Sequence, residues 1–259
     1  MKNKILISTG GLYLYGLDRF FELSSEVGFD GIELVIDNTW DNRQPEYIGR
    51  LERKHKIKAL SIHSAMEFVT SYGKDPKVRF EESAKIAKEI GAKVIVVHPY
   101  DSCDRKFYAW IKRNYQEFIE FAKPVKVFFE NPTSRRGLKQ EKFFKYFPSY
   151  TLDTSHIATT QRDPVDVYIE NKEEIKHIHL SDSDFAKRIK RPDLIDDRHM
   201  LPGTGKLPLK KFLHTLKETN YLGYIVIELA PESLEAGGSD KIVLKNMQKA
   251  LDFVRNNLK

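Results

Sequence analysis

Six short apolar segments of the chain each end in a residue that can bind a metal ion. The segments read ALSIH, VIVVH, VFFE, YTLD, IKHIH and YIVIE, and their last residues are His63, His98, Glu130, Asp153, His179 and Glu228. Each segment is rich in β-branched or aromatic residues, which is typical of a buried strand. Imidazole and carboxylate groups are the ligands that zinc and manganese prefer in proteins. The repeated ending therefore predicts a metal site where several strands end.

Strand parity places these groups on one side of the predicted sheet. Successive side chains of a strand point to opposite faces, so Ser61 and His63 share a face, as do Val226 and Glu228. In a (β/α)8 barrel all strands are parallel, and their carboxyl ends meet at the face that carries the chemistry. We therefore expect the terminal polar residues to point inward and to meet at that face.

The remaining segments fit such a barrel. Eight strand-like segments alternate with helix-period segments along the chain, which is the pattern of an α/β fold with a parallel sheet. Gly28, Gly91 and Gly223 each precede a strand and are expected to cap or turn the chain there. Asp75 followed by proline predicts a helix start. The fold class predicted is α/β, a single (β/α)8 TIM barrel that spans residues 1–259, with a metal site at the C-terminal face of its strands.

Composition narrows the functional class. The chain has 259 residues, 41% of them hydrophobic, and a net charge of +6, which favours anionic partners. Cys103 is the single cysteine, so no intramolecular disulfide forms, and no segment is apolar for long enough to span a membrane or to act as a signal peptide. The sequence thus predicts a soluble cytoplasmic enzyme, and nothing in it predicts an obligate protein partner.

Further potential ligands lie in the loops that follow two strands. His156 follows Asp153 by three residues, and Asp197-Arg-His199 occurs in the long loop after the seventh strand. Nine candidate ligands exceed what one metal ion coordinates. The full set of predicted ligands is His63, His98, Glu130, Asp153, His156, His179, Asp197, His199 and Glu228.

The motifs TLDTSH, HIHLSDS, DDRHMLPGTG and IVIEL resemble the superfamily of TIM barrels that contains endonuclease IV and the xylose isomerase-like enzymes. The resemblance extends over essentially the whole chain. In the endonuclease IV branch it implies up to three zinc ions. One would bind His63, His98 and Glu130, a second Glu130, Asp153, His179 and Glu228, and a third His156, Asp197 and His199. A metal-bridging hydroxide would then attack a phosphoester, with cleavage of DNA at an abasic site as the specific expectation.

The sugar isomerase and epimerase branch implies a different reaction with the same residues. It uses one metal ion, such as Mn²⁺, bound by the positions that match Glu130, Asp153, His179 and Glu228. Glu130 and Glu228 would be the catalytic pair that moves a proton beside a carbonyl group of a sugar or sugar phosphate. The additional histidines favour the hydrolase as the main reading, and the isomerase or epimerase is the alternative.

Basic residues in the predicted loops at the site face are expected to contact an anionic substrate, either DNA or a small phosphorylated sugar. The expected substrate-binding residues are Arg43, Arg135, Arg162 and Arg188. Two other polar residues lie within strands. His177 is interpreted as filling the barrel interior, and Glu33 as either approaching the site or making a structural hydrogen bond.

Overall fold

A computed structural model describes residues 3–66, 69–73, 75–99, 105–133, 143–184, 187–188, 191–195 and 198–259. Eight parallel strands in this part of the chain form a closed barrel, as the sequence predicts. The barrel strands are β1 (Ile5–Ser8), β2 (Gly31–Val35), β3 (Ala59–His63), β4 (Val94–Val97), β5 (Lys126–Glu130), β6 (Tyr150–Asp153), β7 (Ile175–Leu180) and β10 (Tyr224–Ile227). The order around the barrel is that of the sequence, with β10 closing it between β7 and β1.

The helices that surround the barrel follow from apolar stripes at helical spacing. They are α1 (Leu17–Val27), α2 (Pro45–His55), α3 (Pro76–Ile90), α4 (Arg105–Ala122), α5 (Thr154–Ala158), α6 (Pro164–Glu170), α7 (Leu209–Glu218), α8 (Pro231–Leu234) and α9 (Asp240–Asn257). In α1, for example, Leu17, Phe20 and Val27 are buried on the face that packs against the core. No helix in the described ranges is long and apolar enough to cross a membrane.

Local signals explain where these helices begin and end. Asp75 caps α3 by accepting a hydrogen bond from the backbone N–H of Lys77, as its position before Pro76 predicts. Gly28 and Gly91 end α1 and α3 in the left-handed conformation, with φ of 87° and 73°. Gly223 does not have this role, because the left-handed residue before β10 is Asn220. A Cβ at Gly223 would instead collide with the carbonyl oxygen of Lys176, so close approach to β7 is what requires glycine there.

Inward and outward faces of the strands separate as parity predicts. Val94, Val96 and Phe128 form a small apolar cluster with Tyr224, apart from the main core. Their neighbours Ile95 and Val97 belong to the larger core that lies between strands and helices. One element is not predicted by the sequence patterns: a short antiparallel hairpin, β8 (Lys187–Arg188) and β9 (Arg191–Ile195), which lies in the loop after β7. The barrel thus presents its inward polar side chains at the carboxyl ends of the strands.

Candidate metal centre

Four predicted ligands meet at the carboxyl ends of neighbouring strands. Glu130 and Asp153 are the last residues of β5 and β6, His179 lies near the end of β7, and Glu228 follows β10. One ligand atom from each of these side chains lies within 4.8 Å of the others. Parallel pairing of β5, β6, β7 and β10 aligns the strand ends, which is why residues nearly 100 positions apart converge.

His179 is at the centre of this group. Its Nδ1 lies 2.8 Å from Glu228 Oε2 and 3.0 Å from Glu130 Oε1. Asp153 Oδ2 is 3.9 Å from the same nitrogen. One imidazole nitrogen therefore faces three carboxylates, which is the arrangement that a divalent cation between them would satisfy.

Hydrogen bonds hold the side chain of Asp153 through one carboxylate oxygen, Oδ1, and leave the other, Oδ2, without a donor among the described residues. Its Oδ1 accepts hydrogen bonds of 2.8 Å from the backbone N–H of His156 and from the Ser155 hydroxyl. The side chain of Asn131 bonds both backbone groups of Asp153, accepting from its N–H at 2.7 Å and donating to its carbonyl at 3.3 Å. Asp153 itself is fully buried. These contacts fix the carboxylate in the absence of a metal ion.

Two buried carboxylate oxygens of the group have no hydrogen-bond donor among the described residues. They are Asp153 Oδ2 and Glu228 Oε2, the latter close to His179 but not aligned for a hydrogen bond. A buried anionic oxygen without a donor is costly unless a cation compensates it. The donor set of three carboxylates and one imidazole matches what Zn²⁺ or Mn²⁺ binds. The residues present therefore fit a divalent metal ion.

The remaining predicted histidines extend from this group in a row. Ring centroids are 6.0 Å apart between His179 and His63, 6.3 Å between His63 and His98, 5.6 Å between His98 and His156, and 5.7 Å between His156 and His199. His63 Nε2 lies 3.2 Å from Glu130 Oε2. Asp153, His156 and His199 form a second group whose ligand atoms lie within 4.8 Å of one another. Eight of the nine predicted ligands thus come together, and Asp197 lies outside the described residues.

Burial and opposite charges shift the pKa values of these groups strongly. Burial works against protonation of His179, but the carboxylates of Glu33, Glu130 and Glu228 raise its pKa well above the ordinary value. Burial also opposes protonation of His63, but the hydrogen bond to Glu130 favours it, and the pKa of His63 rises to about 9. Burial lowers the pKa of His98 to about 4. Without a metal ion, protons on His63 and His179 balance the buried carboxylates.

Glu130 and Glu228 both remain ionised at neutral pH. Burial raises the pKa of Glu130, but the imidazoles of His179 and His63 bring it well below the ordinary value. The pKa of Glu228 is also lowered, because His179 outweighs the effect of burial. The two carboxylates differ in access, since the side chain of Glu130 is 2% exposed and that of Glu228 is 20% exposed.

A cavity of about 430 Å³ reaches two of the predicted ligands, His63 and Glu228. His63 and Glu228 lie in its wall, together with Tyr13, Asp37 and Met66. Its size suits a small-molecule substrate, and its wall combines apolar contacts with a few polar groups, as is usual for such sites. A substrate in this cavity would lie directly against Glu228.

The predicted substrate-binding arginines are placed differently from one another. Arg43 lies against the rings of Trp40 and Tyr72, at 5.8 and 5.5 Å, and donates to the carbonyl groups of Asn38 and Thr39, which border the cavity. Arg162 instead forms an ion pair with Glu170 at 2.7 Å. Arg135 lies outside the described residues. Arg188 belongs to the hairpin strand β8, but its side chain is likewise outside the described part.

Glu33 belongs to the site more fully than the sequence predicts. It is fully buried, and its carboxylate contacts both His179 and His177. His177 lies in the barrel interior, as predicted, but it contacts Glu33 and does not serve only as filling. A carboxylate in the middle of the apolar segment GIELV, at an inward parity, is the signal that could have identified Glu33.

Comparison with known proteins agrees with this architecture. An uncharacterised protein of Mycobacterium tuberculosis is 25% identical over 98% of each chain. Fructoselysine 3-epimerase of Escherichia coli O157:H7 is 33% identical over 70 residues, which are 27% of this chain and 22% of that protein.

Solved structures share the fold over almost the whole chain. A D-tagatose 3-epimerase-like protein superimposes with a TM-score of 0.70 at 20% identity and covers 99% of this chain and 100% of that one. The IolI protein with a bound zinc atom superimposes with a TM-score of 0.73 at 19% identity and covers 98% and 99% of the two chains. The sequence model of the xylose isomerase-like TIM barrel matches residues 21–256. The chain therefore belongs to the xylose isomerase-like TIM barrel family.

Proposed function

We propose that the protein is a metal-dependent isomerase or epimerase of a sugar. The observation that carries the proposal is the convergence of Glu130, Asp153, His179 and Glu228 on one point, with Glu228 also in the wall of a substrate-sized cavity. The named relatives support it, since one is a fructoselysine 3-epimerase and one solved structure is a D-tagatose 3-epimerase-like protein. The sequence patterns place phosphoester hydrolysis first, whereas these comparisons favour the alternative.

Each residue would have a distinct task in the reaction. When bound, the metal ion would polarise the carbonyl group of the sugar and so acidify the hydrogen on the neighbouring carbon. Both carboxylates are ionised, and Glu228 is the better placed of the two to remove that proton, because it lies in the cavity wall. The electron pair left on carbon would pass to the carbonyl oxygen.

The second half of the reaction returns a proton to carbon. In an epimerase the proton would reach the opposite face of that carbon through Glu130, which would take it from the protonated imidazole of His63 as it delivers it, and the configuration at that carbon would invert. In an isomerase Glu228 would return the proton to the former carbonyl carbon, while the hydroxyl proton of the deprotonated carbon passes to the former carbonyl oxygen, so that the carbonyl moves by one position. His63, which contacts Glu130 at 3.2 Å, would assist the change in protonation of that carboxylate.

Exchange of substrate hydrogen with solvent tests this proposal. We expect the protein, loaded with Mn²⁺ or Co²⁺ and incubated in D₂O with a panel of ketoses, to incorporate deuterium at the carbon beside the carbonyl group. Glu228→Gln should abolish incorporation, whereas Glu232→Gln, the same change at an exposed position four residues later, should not. If no ketose or ketose phosphate of the panel exchanges hydrogen under these conditions, the proposal fails.

One observation favours a second candidate, the phosphoester hydrolase. The group formed by Asp153, His156 and His199 offers a further place for a metal ion, which proton transfer on a sugar does not require. Clustered dications would neutralise the charge that develops on a phosphoryl group. Metal content per chain, measured with cleavage of a duplex that contains one abasic site, separates the two candidates. Cleavage with two or three zinc ions per chain would favour the hydrolase.

A further inference from the structure

We infer that Glu33 is a positioning residue for the metal centre, which holds His179 with its Nδ1 directed at the metal. The inference rests on the metal site of the proposed function, and it assigns a role to a residue that is not itself one of the four ligands.

The geometry of Glu33 is that of an outer partner of a metal-binding histidine. Glu33 Oε1 lies 3.0 Å from Nε2 of His179, the nitrogen opposite the one that faces Glu130, Asp153 and Glu228; the two atoms are in ion-pair contact but not aligned for a hydrogen bond. Both side chains are completely buried. His179 therefore lies between a carboxylate on one side and the candidate metal position on the other.

Chemistry explains why this contact matters for metal binding. A neutral imidazole carries its proton on one nitrogen, and only the other nitrogen has a lone pair for a metal ion. A carboxylate beside Nε2 favours the proton there and leaves the Nδ1 lone pair directed at the three carboxylate ligands. The same contact increases the basicity of the ligating nitrogen and fixes the orientation of the ring.

Glu33 is itself fixed from two directions. Its Oε2 accepts a hydrogen bond of 2.6 Å from the Ser61 hydroxyl and lies 3.1 Å from Nε2 of His177. Ser61 is paired with Glu33 in the register of β2 and β3, so the same strand pairing that closes the barrel holds the donor in place. His177 and His179 lie on β7, which is separated from β2 by β1 and β10, so Glu33 reaches them across the barrel interior.

The contact pattern also explains why a buried acid is retained in an apolar strand. Glu33 is flanked by Ile32 and Leu34, which face the outer core. A leucine at position 33 would fill the interior without the cost of burying a charge. The carboxylate instead accepts hydrogen bonds from Ser61 and His177 on Oε2 and presents Oε1 as a negative charge beside Nε2 of His179.

The test is a metal affinity measurement on Glu33→Gln. Zn²⁺ and Co²⁺ affinities would be determined by competition with a chromophoric chelator, in the absence of any substrate. Loss of such an outer partner typically weakens metal binding by about 10- to 100-fold, and we expect a loss in that range. In the zinc-bound protein, the ¹⁵N shift of His179 Nε2 should differ between the wild type and the variant, because the carboxylate beside that N–H is replaced by a neutral amide.

Glu52→Gln is the matched control. Glu52 is also buried and also bonded on both oxygens, to Lys58 and to the backbone N–H of Ala59, but lies away from the metal ligands. Its substitution should lower stability and leave metal affinity unchanged. Wild-type affinity in Glu33→Gln, or an equal loss of affinity in Glu52→Gln, would overturn the inference, as would failure of the wild type to bind either metal.

Ser61→Ala provides a second variant if Glu33→Gln does not fold. It removes the 2.6 Å donor to Glu33 and keeps the contact with His179, so a smaller loss of affinity is expected. Ser24→Ala, which removes another buried hydroxyl that donates to a backbone carbonyl, in α1, should cause no loss. Equal affinities of the two serine variants would contradict the inference. If Glu33 variants bind metal weakly but no ketose exchanges hydrogen, the proposed function fails and the role of Glu33 stands.

Discussion

Asp153→Asn should separate metal binding from folding. In the folded protein Asp153 Oδ1 caps α5 and accepts from Ser155, whereas Oδ2 has no hydrogen-bond donor among the described residues. An asparagine carbonyl can make both Oδ1 hydrogen bonds. The substitution therefore removes the charge and one metal-binding oxygen, and leaves the helix cap in place.

The size of the effect follows from linkage. Free metal at about 1,000 times its Kd stabilises the folded chain by roughly 4 kcal/mol. For a chain of 259 residues this corresponds to a rise in Tm of roughly 8 °C, at about 2 °C per kcal/mol. Removal of one partner from a buried charged group costs about 3–5 kcal/mol, which is roughly a 1,000-fold loss of affinity. At the same metal concentration the variant should then gain only about 0.4 kcal/mol, less than 1 °C.

Thermal unfolding with and without Zn²⁺ measures this effect. Asp163→Asn is the control, because Asp163 is also the N-cap of its helix, α6, and its Oδ1 accepts from the backbone N–H of Val165 at 2.8 Å, but it lies outside the metal group. The control should show the full metal-induced rise in Tm. A rise in Asp153→Asn as large as in the wild type would refute the assignment of Asp153 as a ligand, and a metal-free Tm far below that of Asp163→Asn would refute the separation of the two roles.

Three further predictions concern the metal-free protein and its core. Because the pKa of His63 is raised to about 9, its protonation stabilises the fold fully below about pH 6.5, and this stabilisation is lost as the pH rises through 9. Urea unfolding should detect a loss of about 3 kcal/mol in the free energy of unfolding over this range, and His63→Gln should remove it. An unchanged pH profile in that variant would be contrary evidence. Gly223→Ala should lower the free energy of unfolding by roughly 1–3 kcal/mol, because the new Cβ would collide with the backbone of the neighbouring strand. Gly16→Ala is the control and should be nearly neutral, since there is open space around Gly16, and similar values for the two variants would count against the close approach at Gly223. Tyr150→Phe should lower the free energy of unfolding by about 1–3 kcal/mol, because it removes the hydroxyl that accepts a hydrogen bond of 2.7 Å from the buried N–H of Phe147. A variant as stable as the wild type would contradict this.

The barrel and much of the candidate site can be predicted from the sequence because both depend on local patterns. Each barrel strand is a short apolar run, and its last residue is at the site face by topology alone. That is why strand endings alone identify His63, Glu130, Asp153 and His179, and why the parity of Val94 and Val96 correctly predicts which side of β4 faces inward.

Other features depend on contacts that no local pattern encodes. The parity of Glu33 in its strand can indicate that it faces inward, but its contact with His179 depends on the barrel, which brings β2 and β7 to within side-chain reach across the interior. The hairpin of β8 and β9 escapes prediction because its strands are short and polar, without the apolar alternation that identifies a strand. The residue type and loop position of Arg162 predict a substrate contact. In the structure Arg162 instead pairs with Glu170, the last residue of α6, and this contact depends on how α6 folds back beside the loop.

Protonation and the proposed metal binding would compete for the same buried carboxylates in this barrel. Four carboxylates, those of Glu33, Glu130, Asp153 and Glu228, surround His179 at distances of 2.8–3.9 Å. Buried anions so close together would repel one another and destabilise the fold unless positive charge is supplied. Protons held by His179 and His63 supply it in the metal-free state, which is why both imidazoles have raised pKa values. A divalent cation would provide the same compensation while it releases those protons, so metal affinity should increase with pH. The protonated histidines can thus keep the site folded without a metal ion. The free energy of unfolding gained on metal binding would then measure how much better a dication neutralises these carboxylates than protons do.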